Sequence, residues 1–258
     1  AFYGTGLTEV VLADGVVIPD NAFSGVPSLT KVYNVNDNVL MGTASRFQDV
    51  FGTQVEHVTL ADSVTEIAND AFKDTALTSI NLNKVETIGE RAFMGTSLDT
   101  VVFPTTPYTI EIAAFSGVPT LTTVNLGSVT EIGNFAFSGT GLTEVVFPTN
   151  SYTIGENAFF DVSTLTTVDL GSVTEIRNWA FINTGLTEVV FPDTDYTIGQ
   201  MAFSGISTLT TVNLGSVTEI ANDAFRDTAL TSINLNKVER IGERAFMGTS
   251  LDTVVFPT

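Results

Sequence analysis

Apolar residues recur along the chain in a fixed six-residue form, Leu-x-x-Val/Ile-x-Leu/Phe, as at Leu7–Leu12, Leu77–Leu82, Leu121–Leu126 and Leu251–Phe256. Alternation at the fourth and sixth positions places those side chains on one face of an extended strand, and the first apolar residue closes the turn before it. The second, third and fifth positions are left outside. After each strand stands a Pro or Gly (Pro104, Gly127, Pro148, Gly171, Pro192, Gly215), which ends pairing and turns the chain. A second apolar anchor follows at Ile88, Ile110, Ile132, Ile154, Ile176, Ile198, Ile220 and Ile241, with Ala four residues on and Phe five on. That spacing matches one helical turn and predicts a short α or 3₁₀ turn on the side of the coil opposite the strand. A Gly or Thr soon after suits its termination.

These elements repeat about every 22 residues, with Leu142–Gly185 as the clearest pair of units; Leu98–Gly141 and Leu186–Ala229 align with it without a gap. Eleven of the 19 phenylalanines occupy the single slot after Ala, from Phe2 and Phe23 to Phe246. Between Phe23 and Phe72 the interval stretches to two units with extra residues, and Phe47 or Phe51 stands in the slot. About twelve units result, forming one continuous solenoid over residues 1–258 rather than one or two globular domains. Stacked unit on unit, the phenylalanines predict an aromatic column. Both ends fall mid-unit and lack a polar capping unit, the expectation for a fragment of a longer array. Residues 63–105 and 216–258 are near-identical copies, differing only at Lys73/Arg226 and Thr87/Arg240. Residues 34–54 are the least regular stretch; they form either a decayed unit or an insertion presenting Asp37, Arg46 and Asp49.

Charge narrows the partners. Ten Lys plus Arg against 29 Asp plus Glu give a formal net charge of −19, and no basic residue lies between Ala92 and Ile176. Nucleic acid needs the opposite sign. Such acidity serves solubility, or a cationic partner. No apolar run approaches the ~20 residues of a membrane span, and no signal-like segment opens the chain. With no cysteine, disulfides, thiol catalysis and zinc–thiolate sites are excluded together. None of the 17 asparagines lies in an Asn-X-Ser/Thr sequon.

The segment LTEVVFPTNSYTIGENAFFDVSTLTTVDL resembles the BspA-type leucine-rich repeats of bacterial and protist surface proteins, in its Leu-x-x-Val/Ile-x-Leu/Phe-Pro strand, Ile-Gly-x-x-Ala-Phe turn and short Ser/Gly-rich return. The likeness covers almost the whole chain. It departs where the family often carries Cys after the Ala-Phe: here stand Val26, Val118, Val162 and Ile206, or Thr. The resemblance implies an α/β repeat solenoid, a leucine-rich-repeat right-handed superhelix with one parallel β-sheet and short α/3₁₀ turns opposite. It also implies an extracellular or cell-surface location and use in adhesion or protein recognition.

The outward strand columns supply the candidate binding residues. They are Lys31, His57, Glu144 and Glu188 at the third position; Tyr33, Thr59, Asn125, Val146, Asp169 and Asn213 at the fifth; and Thr122, Thr166 and Thr210 at the second. Columns of short hydroxyl and β-branched side chains suit contact with something extended, although Thr and Val also simply favour strands. A catalytic role finds little support. His57 is the single histidine and has no Ser-His-Asp grouping, and Glu66, Glu131, Glu175 and Glu219 occupy one repeated outward slot. Asn36–Asp37–Asn38 and Asp193/Asp195 offer oxygen ligands to calcium without EF-hand spacing, and no cofactor motif occurs. The expected function is recognition of a protein or glycan on another cell or matrix through the strand face. The alternatives are a structural spacer capable of end-to-end self-association and, less favoured, an ice-binding Thr lattice. The face is uniform from Leu98 to Gly215, so Lys31–His57, which departs from it, is where specificity is sought.

Overall fold

A computed structural model describes residues 1–14, 16–36 and 47–256. The six-residue pattern forms strands wherever the sequence places it. Each contributes three to five residues to a parallel front face, from Glu9–Val11 and Lys31–Val35 through Thr123–Asn125 and Glu144–Val146 to Thr253–Val255. Registers match slot to slot: Glu9 opposes Lys31, Glu144 opposes Thr123, and Ser232 opposes Thr253. Inward positions Val124, Leu126, Val168 and Leu170 are buried, and their outward neighbours are exposed.

The solenoid is as expected, but the single sheet is not: the front strands fall into hydrogen-bonded groups of five, two, three and two, and a second sheet lies behind them. The stretch before each Ile anchor is also extended, and nine such strands, from Glu66–Ile67 to Arg240–Ile241, form one uninterrupted parallel sheet. Alone, two to four residues such as Thr87–Ile88 or Val129–Ile132 carry too little pattern to be read as strands. Stacking creates the sheet, because identical segments in neighbouring coils offer each other donors and acceptors, as in Glu86 N–H to Thr65 O and Gly89 N–H to Ile67 O. The Gly of Ile-Gly permits this approach: a Cβ on Gly155 would lie 2.6 Å from the carbonyl carbon of Gly133.

The predicted α or 3₁₀ turn at Ala-Phe takes another form. Around Phe72, the N–H groups of Ala71, Lys73 and Thr75 bond to the carbonyls three residues back, while those of Asp70, Phe72 and Asp74 donate to Glu90, Ala92 and Met94 in the next coil. Consecutive amides therefore alternate between bonding inside the coil and bonding to its neighbour, which satisfies the backbone but prevents any run of helix. Left-handed residues produce the alternation. The position before Ala-Phe is left-handed in Asn21, Asp70, Arg91, Ala113, Phe135, Asn157, Trp179, Met201, Asp223 and Arg244. Two residues after Phe the backbone is left-handed again, at Gly or at Asp74, Asp161, Asn183 and Asp227. One short helix is described, α1 (Phe47–Phe51). It fills the stretched interval: Phe51 stacks on Phe23 at 5.1 Å, and Phe47 meets Phe72 at 4.9 Å. The helix thus puts two rings, four residues apart, where one was expected.

The aromatic column is continuous from Phe2 to Phe246, with centroid separations of 4.6 Å at Phe2–Phe23 and 5.7 Å at Phe225–Phe246. Each fully buried ring contributes about 1.5–3 kcal/mol from removal of apolar surface. Two unit types alternate along the column. Units with Pro after the strand carry Tyr108, Tyr152 and Tyr196, whose hydroxyls donate to the carbonyls of Leu126, Leu170 and Leu214 in the next coil. Those with Gly carry Val129, Val173 and Val217 in the corresponding buried slot. Burial pushes all three phenols well above the ordinary tyrosine range. In the slot where the resembling family often has Cys, Thr75, Thr96, Thr140, Thr184 and Thr228 are buried with their hydroxyls donating to the Phe carbonyl three residues back.

Candidate binding surface

All thirteen candidate residues lie on the front strand face or at its start; twelve are exposed and Tyr33 is half-buried. Their chemical freedom differs. Asn125, Asp169 and Asn213 each accept a hydrogen bond from the backbone N–H two residues on, at 3.1, 3.1 and 3.3 Å. Asn81 and Asn234 do the same to Asn83 and Asn236. These Asx turns end the strand, so the alternation of Val with Asn or Asp along this column follows from turn chemistry. Some threonines at the second position also serve the backbone: the hydroxyls of Thr143, Thr187 and Thr210 donate to the carbonyls of Thr122, Thr166 and Thr187 in the preceding coil. A hydroxyl so engaged has given up its only donor, which leaves the Thr lattice fewer groups for an external ligand.

Near the start of the chain the face changes character. Lys31 opposes His57, and the register slips between Val32 and Val35, where Asn34 adopts φ 60°. Its backbone N–H donates to Thr59 Oγ1 at 3.0 Å, and its side-chain amide donates to Leu12 O and Asp14 Oδ1, both at 2.9 Å. The strand runs unbroken from Lys31 to Val35, but its pairing with the next strand shifts register, the behaviour expected of a β-bulge. Thr59 borders a corner cleft of about 170 Å³ lined also by Asp62, Asn81, Asn83 and Lys84. The cleft recurs in the second copy, at about 340 Å³, with Asn213, Asn234, Asn236 and Lys237. Lys84 pairs with Asp62 at 3.4 Å, and Lys237 donates to Ser216 Oγ at 2.9 Å.

Lys31, Tyr33, His57 and Thr59 are therefore brought together on adjacent strands. Thr122, Asn125, Glu144, Val146, Thr166, Asp169, Glu188, Thr210 and Asn213 are spread over five regular strands. Sequence reasoning missed Asn34, Asn81 and Lys84. An Asn within an otherwise β-branched strand was the available signal for the first, while the cleft residues needed the stacking of two coils to be seen. Asp37, Arg46, Asn38 and part of the proposed insertion lie outside the described residues. Glu66, Glu131, Glu175 and Glu219 point outward from the back sheet, and Arg177 approaches Glu175 at 3.4 Å and Glu131 at 3.9 Å. Among the described residues no group of three or more His, Cys, Asp or Glu could hold a metal ion, and no helix is long and apolar enough to cross a membrane.

A coil of this period, with a parallel strand face, an Ala-Phe turn and a stacked Phe core, defines a leucine-rich-repeat solenoid. The sequence profile of the BspA type leucine rich repeat region, six copies long, matches residues 1–122, 44–166, 86–210 and 130–252, and the chain belongs to that family. A comparison with curated proteins finds no match. Three of the solved structures that the chain resembles illustrate the likeness. The first is a leucine-rich repeat protein of Bacteroides ovatus, at 24% identity and TM-score 0.41, over 93% of this chain and 84% of that one. The second is the pneumococcal vaccine antigen PcpA, at 18% and 0.49, over 90% and 61%. The third is a leucine rich cell surface protein of Faecalibacterium prausnitzii, at 18% and 0.40, over 98% and 89%.

Proposed function

We propose that this chain is an extracellular or surface-exposed recognition domain that binds a protein or glycan through the front strand face, at its Lys31–Thr59 end. The observation that carries the reading is the bulged patch itself. Lys31, Tyr33, His57 and Thr59 sit on adjacent strands beside a polar cleft, in the one part of the face where the regular columns stop. An aromatic side chain such as Tyr33 on a rigid sheet is the kind of anchor that recognition surfaces favour. Membership of the BspA-type family supports the class of function.

The test is an array of glycans and extracellular proteins probed with the chain, followed by affinity measurements on the binders found. Lys31→Glu, Tyr33→Ala and His57→Ala are expected to weaken binding about tenfold or more, the scale of an interface hot spot. The controls Val146→Thr and Glu188→Thr should leave it within about twofold. Equal losses in both sets, or no binder at all, would remove this assignment. A second reading has its own support: the Asx turns and donated Thr hydroxyls make the middle of the face a self-contained lattice, as suits a rigid spacer. Concentration-dependent end-to-end association in sedimentation, with an empty array, is the outcome that favours it.

A further inference from the structure

The turn flank carries a different surface, independent of the strand-face reading. The slot before Ala-Phe is left-handed in every regular coil, a conformation that Asn, Asp and Gly adopt at least cost. Four coils hold Asn21, Asp70, Asn157 and Asp223 there, Ala113 fills one, and Arg91 and Arg244 use the slot to pair with Asp70 and Asp223, but the large apolar Phe135, Trp179 and Met201 occupy it at φ 56°, 59° and 56° with no such ion pair. Bulky side chains held at positive φ are strained, and strain of this kind concentrates at sites kept for function. These three fall within four consecutive coils, whose slots read Phe135, Asn157, Trp179 and Met201. The slot just after the core Phe is Ser24, Ser116, Ser138 and Ser204 in four coils and apolar at Met94 and Met247, and the two middle coils of this region carry Phe160 and Ile182 there. Turn bonds hold the two slots side by side, from Phe160 N–H to Asn157 O at 3.0 Å and from Ile182 N–H to Trp179 O at 3.2 Å. Trp179 Nε1 lies 3.1 Å from Met201 Sδ. Phe135 is 41% exposed and Ile112 48%, and the others are half-buried.

Carboxylates surround this apolar strip. Glu90, Glu111 and Glu131 line a cleft of about 340 Å³ together with Ile112, Asn134 and Arg177, and Asn134 directly precedes Phe135. Glu156 and Asp161 flank Asn157–Phe160 in the chain. Two cations border the cleft and both are engaged: Arg177 with Glu175 and Glu131, and Arg91, whose backbone N–H bonds to Ile112 O, with Glu90 and Asp70; Glu111 is in no ion pair among the described residues. An apolar strip in a negative field repels nucleic acid and anionic lipid alike and complements a cationic apolar ligand. We propose that the flank formed by Ile112, Phe135, Phe160, Trp179, Ile182 and Met201 docks a basic amphipathic peptide segment of a partner protein. Its apolar side chains cover the strip and its Lys or Arg side chains enter the acidic cleft.

Trp179 is the single tryptophan, so its emission reports the site. The probe is a short peptide alternating Lys with Leu, with Glu/Leu and Lys/Ser peptides as controls. Saturable binding of the Lys/Leu peptide with a blue shift of Trp179 is expected, weakened several-fold when salt is raised from about 50 to about 300 mM. The variants Phe135→Asn, Phe160→Ser and Trp179→Asn install what other coils carry in the same slots. Their thermal midpoints should hold or rise, while affinity for labelled Lys/Leu peptide, read by anisotropy, falls about tenfold or more. Undiminished affinity in the variants overturns the proposal, as does equal binding of either control peptide, or no binding. A Trp179 shift produced instead by a neutral oligosaccharide or zwitterionic vesicles, or burial of the strip by self-association, also overturns it.

Discussion

Residues 63–105 and 216–258 give nearly the same sequence two different surroundings, one copy inside the solenoid and one at the end of the described coils. Within each copy the backbone is alike. Phe72 N–H bonds to Ala92 O as Phe225 does to Ala245, and Leu82 N–H to Val102 O as Leu235 does to Val255. Outward positions are also alike: Val102 and Val255 are both 46% exposed. Inward positions diverge, with Phe103 6% exposed against 59% for Phe256, and Ile88 fully buried against 45% for Ile241. A coil's path is thus encoded within itself and the coil before it, whereas the burial of its core side chains is supplied by the coil after it. This is the nearest-neighbour energetics of a repeat array.

The largest expected break in that likeness comes from the aromatic column. Phe93 stacks between Phe72 and Phe115 at 5.3 and 5.1 Å, whereas Phe246 stacks on Phe225 at 5.7 Å and is half-buried. Phe93→Ala should cost about 3–5 kcal/mol and Phe246→Ala less than half of that, read as the shift in denaturation midpoint. Equal costs would mean that stability is shared globally instead of between neighbours.

Next in size is an alkaline effect confined to the coils between the copies. Tyr108, Tyr152 and Tyr196 all lie there, and neither copy contains a tyrosine. Their folded-state pKa values are raised, so the stabilisation is intact below the unfolded value near 10 and declines above it. The loss is about 1.4 kcal/mol per phenol for each further pH unit, until the folded pKa is reached. Thermal midpoints should hold from neutral to about pH 9 and fall above about pH 10. Hydrogen exchange should show residues 106–215 opening before 63–105. Phenolate absorbance from these three, appearing ahead of unfolding, would contradict the burial.

The smallest effect concerns the ion pairs that differ between the copies. Asp223 is fully buried, with Arg244 at 3.0 Å and Arg226 at 3.5 Å; Asp70, 22% exposed in its side chain, meets Arg91 at 2.9 Å and Lys73 at 3.9 Å. Asn tolerates the left-handed backbone, so Asp→Asn isolates the charge. The change should cost about 1–2 kcal/mol at Asp223 and less at the better hydrated Asp70, measured by urea denaturation. A larger loss at Asp70 would reverse this ranking.

Much of this protein was determined by its sequence alone. The coil period, the front strands, the inward Leu and Val, the stacked Phe slot and the outward direction of all thirteen candidate residues follow from short-range alternation and an apolar repeat. Only the tertiary structure decided the rest. Thr87–Ile88 becomes a strand because neighbouring coils supply its partners. The Ala-Phe turn unwinds from a helix because alternate amides find carbonyls one coil away, through left-handed residues as unlike as Asp70 and Trp179. Asn125, Asp169 and Asn213, outward in the sequence pattern, also close Asx turns that end their strands. Beside the Lys31–Thr59 patch, only the structure shows the register slip at Asn34, whose N–H reaches Thr59 Oγ1 in the next coil. Apart from the local Asx turns, the deciding contacts join residues about one repeat apart, and a linear pattern marks such residues as equivalent without saying what they bond to.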